Sequence, residues 1–542
     1  MKKIYWVILW SLWAARLVRQ PTMPVRVTGG WLRGDVAHDG SHKRYMAVPY
    51  ATHPAKRFLA PGPEPTWLGI FEAIEENVWC LQRIGASWLV GQEDCLILNI
   101  YTPMDATPTS KYPVMVYIHE GGFYQGSNSR VVHGPHYLVS KGVILVAINY
   151  RLTTQGFICL RIKEAPGNAG MKDQVAALKW IKRNIKEFGG DPSSVTLFGI
   201  SAGATSISFH MLSPMSKGLF HRAIIQSGSS LSPWALQFRP VFMASLLTKV
   251  MGYTTEDPSE LYEILMNTSD RDLIVNRVPR RENNIIISEL LHTPCVEHEI
   301  EGVEPFLTDI PYNLLSKGEY NKVPIMIGVN KEEGLVFVDM ENTTTIPKII
   351  FEKAIPKNLH APLEIRKEIG KKLMKFYMDD KNITTENLVN LSRFHGDLYF
   401  TLPVLEKTEL LLESNGYPVY SYIFLYDGWR NFLKFSLSFG LNKIKGATHA
   451  DDLFYVFDQL FVPNFFENNM IDRVTTMWTN FAKYGDPTPQ ISDLLPVKWL
   501  PTNKTSPHSL FIDEEFSYSP LWTSDSLKYL REVYAKYRRK ED

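Results

Sequence analysis

Residues 195–212, VTLFGISAGATSISFHML, constrain this chain more than any other stretch. Val195–Phe198 reads as a short buried strand and Ala202–Met211 as a helix, leaving Gly199-Ile200-Ser201-Ala202-Gly203 to turn between them. A serine on so tight a strand-to-helix turn is held in strained geometry with its hydroxyl pushed outward, and the flanking glycines remove side chains that would collide. Ala202 opens the helix, so its N–H has no partner within it and points at anything bound to the serine. The stretch thus offers a nucleophile and half an oxyanion hole. Gly-X-Ser-X-Gly also arises by chance in long chains, so the rest of the sequence has to supply the partners.

A serine hydroxyl is a poor nucleophile near neutral pH and needs a base, which in turn needs an orienting carboxylate. In a parallel sheet with this turn the chain order is nucleophile, acid, histidine. His449 lies in a small-residue loop, Gly446-Ala-Thr-His-Ala-Asp-Asp-Leu453, after the strand candidate Val419–Phe424. His210 and His221 stand too close to Ser201 along the chain to fold back onto its hydroxyl. The strand candidate Pro324–Val329 runs into Asn330-Lys331-Glu332-Glu333-Gly334, and one of these two glutamates is the candidate acid. Gly121 and Gly122, just after the apolar run Val114–Ile118, can bring backbone N–H groups close to a substrate carbonyl.

The running order fits such a sheet. Buried runs at 114–118, 143–148, 195–198, 223–226, 324–329, 419–424 and 509–512 alternate with helical patterns. Val175, Leu178, Ile181, Ile185 and Phe188 share one helical face, and Gly189-Gly190 stops that helix. Alternating strands and amphipathic helices predict a large, mostly parallel α/β sheet with helices on both faces. The 25–60 region alternates like an antiparallel edge. The 235–320 and 340–415 regions read as helical insertions over the sheet, and a C-terminal helix carries Leu527, Leu530, Val533, Tyr534 and Tyr537 on one stripe.

Residues 1–15, MKKIYWVILWSLWAA, have the signal-peptide pattern, with cleavage near Ala14 or Ala15. The apolar run Ile4–Trp13 is about half the ~20 residues a membrane span needs. Residues 16–542 are expected to form a single domain, secreted and without a stable membrane anchor. A formal net charge of +1 gives no reason to expect nucleic acid as a partner. In a secreted chain the sequons at Asn267, Asn342, Asn382, Asn390 and Asn503 are acceptors for N-linked glycans on exposed loops. A bridge between Cys80 and Cys95 would contribute about 3 kcal/mol in the chain-entropy view. Cys159 and Cys295 either pair with each other or remain buried thiols.

Together these blocks resemble the type-B carboxylesterase family, which includes the cholinesterases, and in style its insect members. The likeness rests on VPYATHPAKRFLAP, EDCLILNIYTP, YIHEGGF, INYRL, APGNAGMKDQVAALKWIKRNI, FGGDPSSVTLFGISAG, LFHRAIIQSG, IGVNKEEG, ATHADDLFYVF and MWTNFAKYGDP. The resemblance implies an α/β-hydrolase fold and a secreted serine carboxylesterase, with a small-molecule ester as substrate and neither a cofactor nor a metal. It implies Ser201 as nucleophile, Glu333 as acid, His449 as base, and Gly121, Gly122 and Ala202 as oxyanion hole. It further implies Ser227 beneath the triad, Trp234 and Phe337 in the acyl pocket, a Cys80–Cys95 disulfide, and structural ion pairs Arg57–Glu93 and Arg151–Asp173.

Three departures bear on substrate. Ile200 stands where the family usually has glutamate before the serine, which predicts a more apolar pocket floor and disfavours cationic alcohols. The Cys80–Cys95 loop lacks the tryptophan-bearing segment of cholinesterases, and Trp88 is flanked differently. Glu120 replaces the first glycine of the usual run, with both amide-donating glycines retained. The expected substrate is a neutral apolar ester. The competing reading is a catalytically silent member of the fold, although such relatives usually lose the serine or the histidine. A hormone- or pheromone-degrading esterase and a general xenobiotic esterase differ in the helical insertions, which sequence does not rank, and a stand-alone lipase is disfavoured because no short apolar lid is visible.

Overall fold

The computed structural model describes residues 19–541 except 86, 87, 281, 286–291, 460 and 463–466. The expected signal segment 1–15 lies outside the described residues. Its centre is an eleven-stranded sheet. In chain order the strands are β1 (Asp35–Val36), β2 (His42–Pro49), β3 (Ile97–Pro103), β4 (Tyr112–Ile118), β5 (Ile144–Ile148) and β6 (Gly190–Ile200). They continue as β7 (Arg222–Gln226), β8 (Ile325–Asn330), β9 (Val419–Phe424), β10 (His508–Ile512) and β11 (Ser517–Pro520). Across the sheet they run β11-β10-β9-β8-β7-β6-β4-β5-β3-β2-β1. Pairing is parallel from β5 through β4 to β10 and antiparallel at both margins.

Side chains alternate faces along a strand, and here both faces are apolar. Val114, Val116 and Ile118 of β4, with Val195 and Leu197 of β6, enter one core cluster. Met115 and Tyr117, with Phe198 and Ile200, enter the other. Helices α1 (Ala169–Asn184), α2 (Ala202–Leu212) and α3 (Leu402–Ser414) send buried side chains to the first cluster. Helix α4 (Asn468–Tyr484) covers the second with Met470, Ile471, Val474, Met477, Trp478 and Phe481. Helix α5 (Asp525–Tyr537) returns to the first cluster through Leu527, Leu530, Val533 and Tyr534.

Two sequence expectations need correcting. The 25–60 region is not one edge: Val25–Val27 and Gly30–Arg33 pair with Ile70–Glu72 in a separate three-stranded sheet, and only β1 and β2 join the large one. The sequons are not all on exposed loops. Asn342, Asn382 and Asn503 are exposed in loops, but Asn267 ends helix Pro258–Asn267, and Asn390 is half-buried inside helix Leu388–Gly396. Short polar residues are tolerated on helices when their outer face meets solvent, so a sequon does not by itself mark a loop.

Candidate active site

The turn after β6 is as tight as its small residues require. A Cβ on Gly203 would lie 2.0 Å from the carbonyl oxygen of Ile118, and one on Gly199 would lie 2.6 Å from the same oxygen. Only glycine at both positions lets α2 begin directly against the end of β4. Ser201 takes φ +57° and ψ −120°, a strained conformation for a residue with a side chain. Its N–H donates to Gln226 O at 2.9 Å and its carbonyl accepts from Thr205 N at 2.8 Å. Among the described residues its hydroxyl makes no hydrogen bond within the protein.

Three adjacent parallel strands deliver the remaining polar groups to the same edge. β6 ends before Ser201, β7 ends before Ser227, and β8 ends three residues before Glu333. Ile200 is level with Gln226, and Gln226 with Gly328. Neighbouring strands stand about 4.8 Å apart, so the ends of β6 and β8 are about 10 Å from each other. Glu333 is fully buried, and its Oε2 lies 2.6 Å from Nδ1 of His449. A carboxylate only accepts, so Nδ1 carries a proton, and in the neutral ring Nε2 is the nitrogen with the free lone pair. Oε1 of Glu333 accepts from the Ser227 hydroxyl and, at 2.6 Å, from the Asn330 N–H. Glu332 points elsewhere: its Oε1 meets Arg393 at 3.4 Å.

The loop carrying His449 is fastened to the sheet. Glu332 N donates to Ala447 O at 2.9 Å, and Asn330 Nδ2 donates to Thr448 O at 2.7 Å and to Asp452 Oδ1 at 3.1 Å. Gln226 Nε2 donates to the other Asp452 oxygen at 2.7 Å, and Trp478 Nε1 donates to Gln226 Oε1 at 3.0 Å. Burial pushes the Asp452 carboxyl up to about 6 against these donors.

Gly121 and Gly122 follow His119 and Glu120 at the end of β4, with φ of +108° and +63°. Among the described residues the N–H groups of Gly121, Gly122 and Ala202 donate to no protein acceptor. Since α2 starts against Ile118, these amides and Ser201 belong to one corner of the molecule.

An aromatic group lies against the histidine. Phe337 and Phe400 have ring centroids 5.2 and 4.4 Å from that of His449, and they stack on each other at 5.1 Å. Trp234 is 5.9 Å from Phe400 and donates its indole N–H to Tyr399 O at 3.1 Å. Trp234 and Phe337 are thus brought together, whereas Ile200 is fully buried in the cluster on the other face, with Phe198 and Ile224. Phe400 escaped sequence analysis. It sits on a π-helical segment, Asp397–Thr401, whose sequence reads as ordinary helix.

The remaining expected contacts are present as geometry. Cys80–Cys95 and Cys159–Cys295 are both disulfides. Arg151 makes a bidentate, fully buried pair with Asp173, with contacts of 2.7 and 2.6 Å. Arg57 reaches Glu93 at 3.8 Å and Asp270, more closely, at 3.2 Å. Trp88 is exposed.

A family model described as Carboxylesterase family matches residues 21–529. Esterase FE4 of Myzus persicae is 34% identical over 515 residues, which is 90% of this chain and 88% of that protein. Juvenile hormone esterase of Heliothis virescens is 33% identical over 485 residues, 84% of this chain and 83% of that protein. The crystal structure of juvenile hormone esterase from Manduca sexta with OTFP covalently attached superposes with a TM-score of 0.80 at 30% identity, covering 96% of this chain and all of that one.

Proposed function

This chain belongs to the carboxylesterase family, and from that premise we propose that it cleaves neutral apolar carboxylic esters with Ser201, His449 and Glu333. The fold is that of an α/β-hydrolase, and the protein is a serine carboxylic ester hydrolase. The observation carrying the residue assignment is the 2.6 Å contact between His449 Nδ1 and Glu333 Oε2, two strands from a serine on a strained turn.

In this reading Ser201 Oγ attacks the acyl carbon while its proton passes to Nε2 of His449. Glu333 keeps the imidazole in the Nδ1–H tautomer and stabilises the imidazolium. The N–H groups of Gly121, Gly122 and Ala202 receive the tetrahedral oxyanion, and such donors are typically worth ~3 kcal/mol each. The Nε2 proton then goes to the departing alcohol oxygen, and the ester bond breaks. Water attacks the acyl-enzyme with His449 again taking the proton, releasing the acid and restoring Ser201. Ser227 holds the carboxylate from below.

Trp234, Phe337 and Phe400 supply apolar, aromatic walls, which favours an uncharged acyl and alcohol. Ile200 contributes to that preference only by leaving no carboxylate at its position. Secretion and N-glycosylation belong to the same proposal. They accord with the paired cysteines, the amino-terminal pattern and the exposed sequons. Among the described residues no helix is long and apolar enough to cross a membrane.

The decisive measurement uses secreted protein. Ser201→Ala should lower kcat for a p-nitrophenyl ester by at least 10⁴-fold, on the order seen when a triad serine is removed. Full turnover in that variant would end the assignment. The substrate class is tested with a choline ester and its uncharged 3,3-dimethylbutyl isostere. The neutral ester should lead by about tenfold in kcat/KM, and parity would remove the preference.

A further inference from the structure

Glu120 stands directly before Gly121 and Gly122, and its side chain does not face solvent freely. It turns back onto the strand that precedes it. The Tyr117 hydroxyl donates to Oε2, and Nε2 of His133 lies 3.1 Å from Oε1. Nε2 must be the donor there, because a carboxylate only accepts. The other His133 nitrogen is buried and unbonded among the described residues, so the ring's polar contact is with Glu120 alone.

Both partners are rigid. Tyr117 lies within β4, and its ring packs against Phe198 and Phe457 with centroids 5.0 and 4.7 Å away. His133 is buried and packs against Tyr117 at 4.7 Å and Phe457 at 5.3 Å. The main chain around Glu120 is gripped as well. His119 Nδ1 donates to Glu120 O at 2.8 Å, and Gly121 O accepts from Tyr124 and Gln125 N–H at 3.0 and 3.1 Å. The Glu120–Gly121 and Gly121–Gly122 peptide planes carry the two N–H groups, so these carbonyl bonds orient the amides within the loop, and the Glu120 side chain is what ties that loop segment to β4. Burial acts to raise the Glu120 carboxyl, but the charge of His133 and the hydrogen bonds outweigh it and hold the group near 2, so the carboxylate is ionised at working pH.

We propose that Glu120 is a positioning residue that clamps the glycine loop to β4 through Tyr117 and His133 and so aims the Gly121 and Gly122 amides. The proposal rests on the reading of those amides as oxyanion donors. Donors that are fixed before reaction stabilise charge that appears only in the transition state, and a loosened loop weakens that step more than substrate binding.

The test compares wild type, Glu120→Ala, Glu120→Gln and His133→Ala. Each protein is normalised by active-site titration with a dialkyl aryl phosphate. Three quantities are then read: kcat, KM for a p-nitrophenyl ester, and affinity for a trifluoromethyl ketone, whose hydroxyl adduct places an oxyanion in the same spot. Glu120→Ala should lose about tenfold or more in kcat with KM within twofold, and ketone affinity should fall by the same factor as kcat/KM. Glu120→Gln, which keeps an acceptor for one donor, should recover most of the loss. His133→Ala should fall in the same direction by less. If Glu120→Ala does not fold, the Glu120→Gln and His133→Ala pair carries the same comparison. A kcat and ketone affinity within twofold of wild type in Glu120→Ala, or in His133→Ala where Glu120→Ala does not fold, overturns the clamp, as does a loss confined to KM. Failure of the parent reading looks different: wild type would resist the phosphate, and Ser201→Ala would keep its activity.

Discussion

At the scale of single residues, Lys407 is a charged group in an uncomfortable place. It is fully buried in α3, and its ammonium donates to the hydroxyl of Ser208 in α2. That hydroxyl is 2.9 Å from Ser230 Oγ and accepts from Ser230 N at 2.8 Å. Among the described residues no carboxylate lies within ion-pair distance of Lys407. Burial alone pulls its pKa from 10.5 down to about 7. A base depressed on folding releases its proton as the chain folds, so this lysine's penalty is complete below about pH 7 and is relieved as pH rises toward 10.5. Lys407→Met should therefore stabilise the fold by on the order of 1–3 kcal/mol at pH 6, the usual cost of an uncompensated buried polar group. It should also flatten the rise in stability between pH 7 and 10. Thermal midpoints of both proteins at pH 6 and pH 10 decide this, and an unchanged pH trend would relocate the effect to another group. Nothing in the sequence marks Lys407, because a lysine in an amphipathic helix reads as solvent-facing. Glu333 is the opposite case: its place before Gly334 at a strand end was legible, although its separation from Glu332 rested on a resemblance.

At the scale of elements, the loop from Gly446 to Asp452 depends on Asp451. Its carboxyl accepts from the N–H groups of Thr448 at 2.9 Å, Leu433 at 3.0 Å and Lys434 at 3.4 Å. It thereby joins the histidine loop to helix Phe432–Phe435, and Lys434 Nζ adds a bond to Gly446 O at 2.9 Å. Truncation to alanine leaves two buried amides, of Thr448 and Lys434, and the half-buried one of Leu433 without their acceptor, a buried one being worth about 1–3 kcal/mol. Asp451→Ala should lower the thermal midpoint and cut kcat by at least tenfold, with Asp451→Asn recovering much of both because its amide oxygen still accepts. Steady-state kinetics beside a melt would show it, and an alanine variant with normal kcat would mean that the loop is held elsewhere. The strands themselves were readable because β4, β7, β8 and the second half of β6, from Val195, are short apolar runs that are mostly buried, whereas the polar first half of β6 carries no such signal. The insertions were readable only as helix, which fits most of 340–415 but not 276–310, where the described residues form none. Phe400 reaches His449 because a π-helical turn shifts its register, and a hydrophobic pattern of period 3.6 carries no trace of that shift.

At the scale of the whole molecule, the two disulfides do different work. Cys80–Cys95 closes a separation of 15 residues, whereas Cys159–Cys295 spans 136 and ties the insertion after β7 to the approach to α1. Beside the bridge Ile158 and Leu160 pack with Ala244, Leu247 and Leu261 of the insertion, and polar contacts lie on its other side. Asn168 exchanges hydrogen bonds with the Cys295 backbone, both at 2.9 Å, and Lys172 of α1 pairs with Glu297 in a buried contact of 2.5 Å. The Gly167 backbone runs so close to the bridge that a Cβ there would lie 2.6 Å from the Cys295 sulfur. Such distant pairing leaves no local signature in sequence, which is why these two cysteines stayed open, whereas the Cys80–Cys95 pairing was implied by the family resemblance. In the chain-entropy view the short bridge contributes about 3 kcal/mol and the long one about 5 kcal/mol. Removing the long one also frees a buried ion pair from its frame, and a buried pair that loses its geometry is costly. Cys159→Ser/Cys295→Ser should therefore lower the thermal midpoint at fixed scan rate more than Cys80→Ser/Cys95→Ser. Equal losses would show that the insertion is held by its apolar contacts to the first core cluster, with the covalent tie adding little.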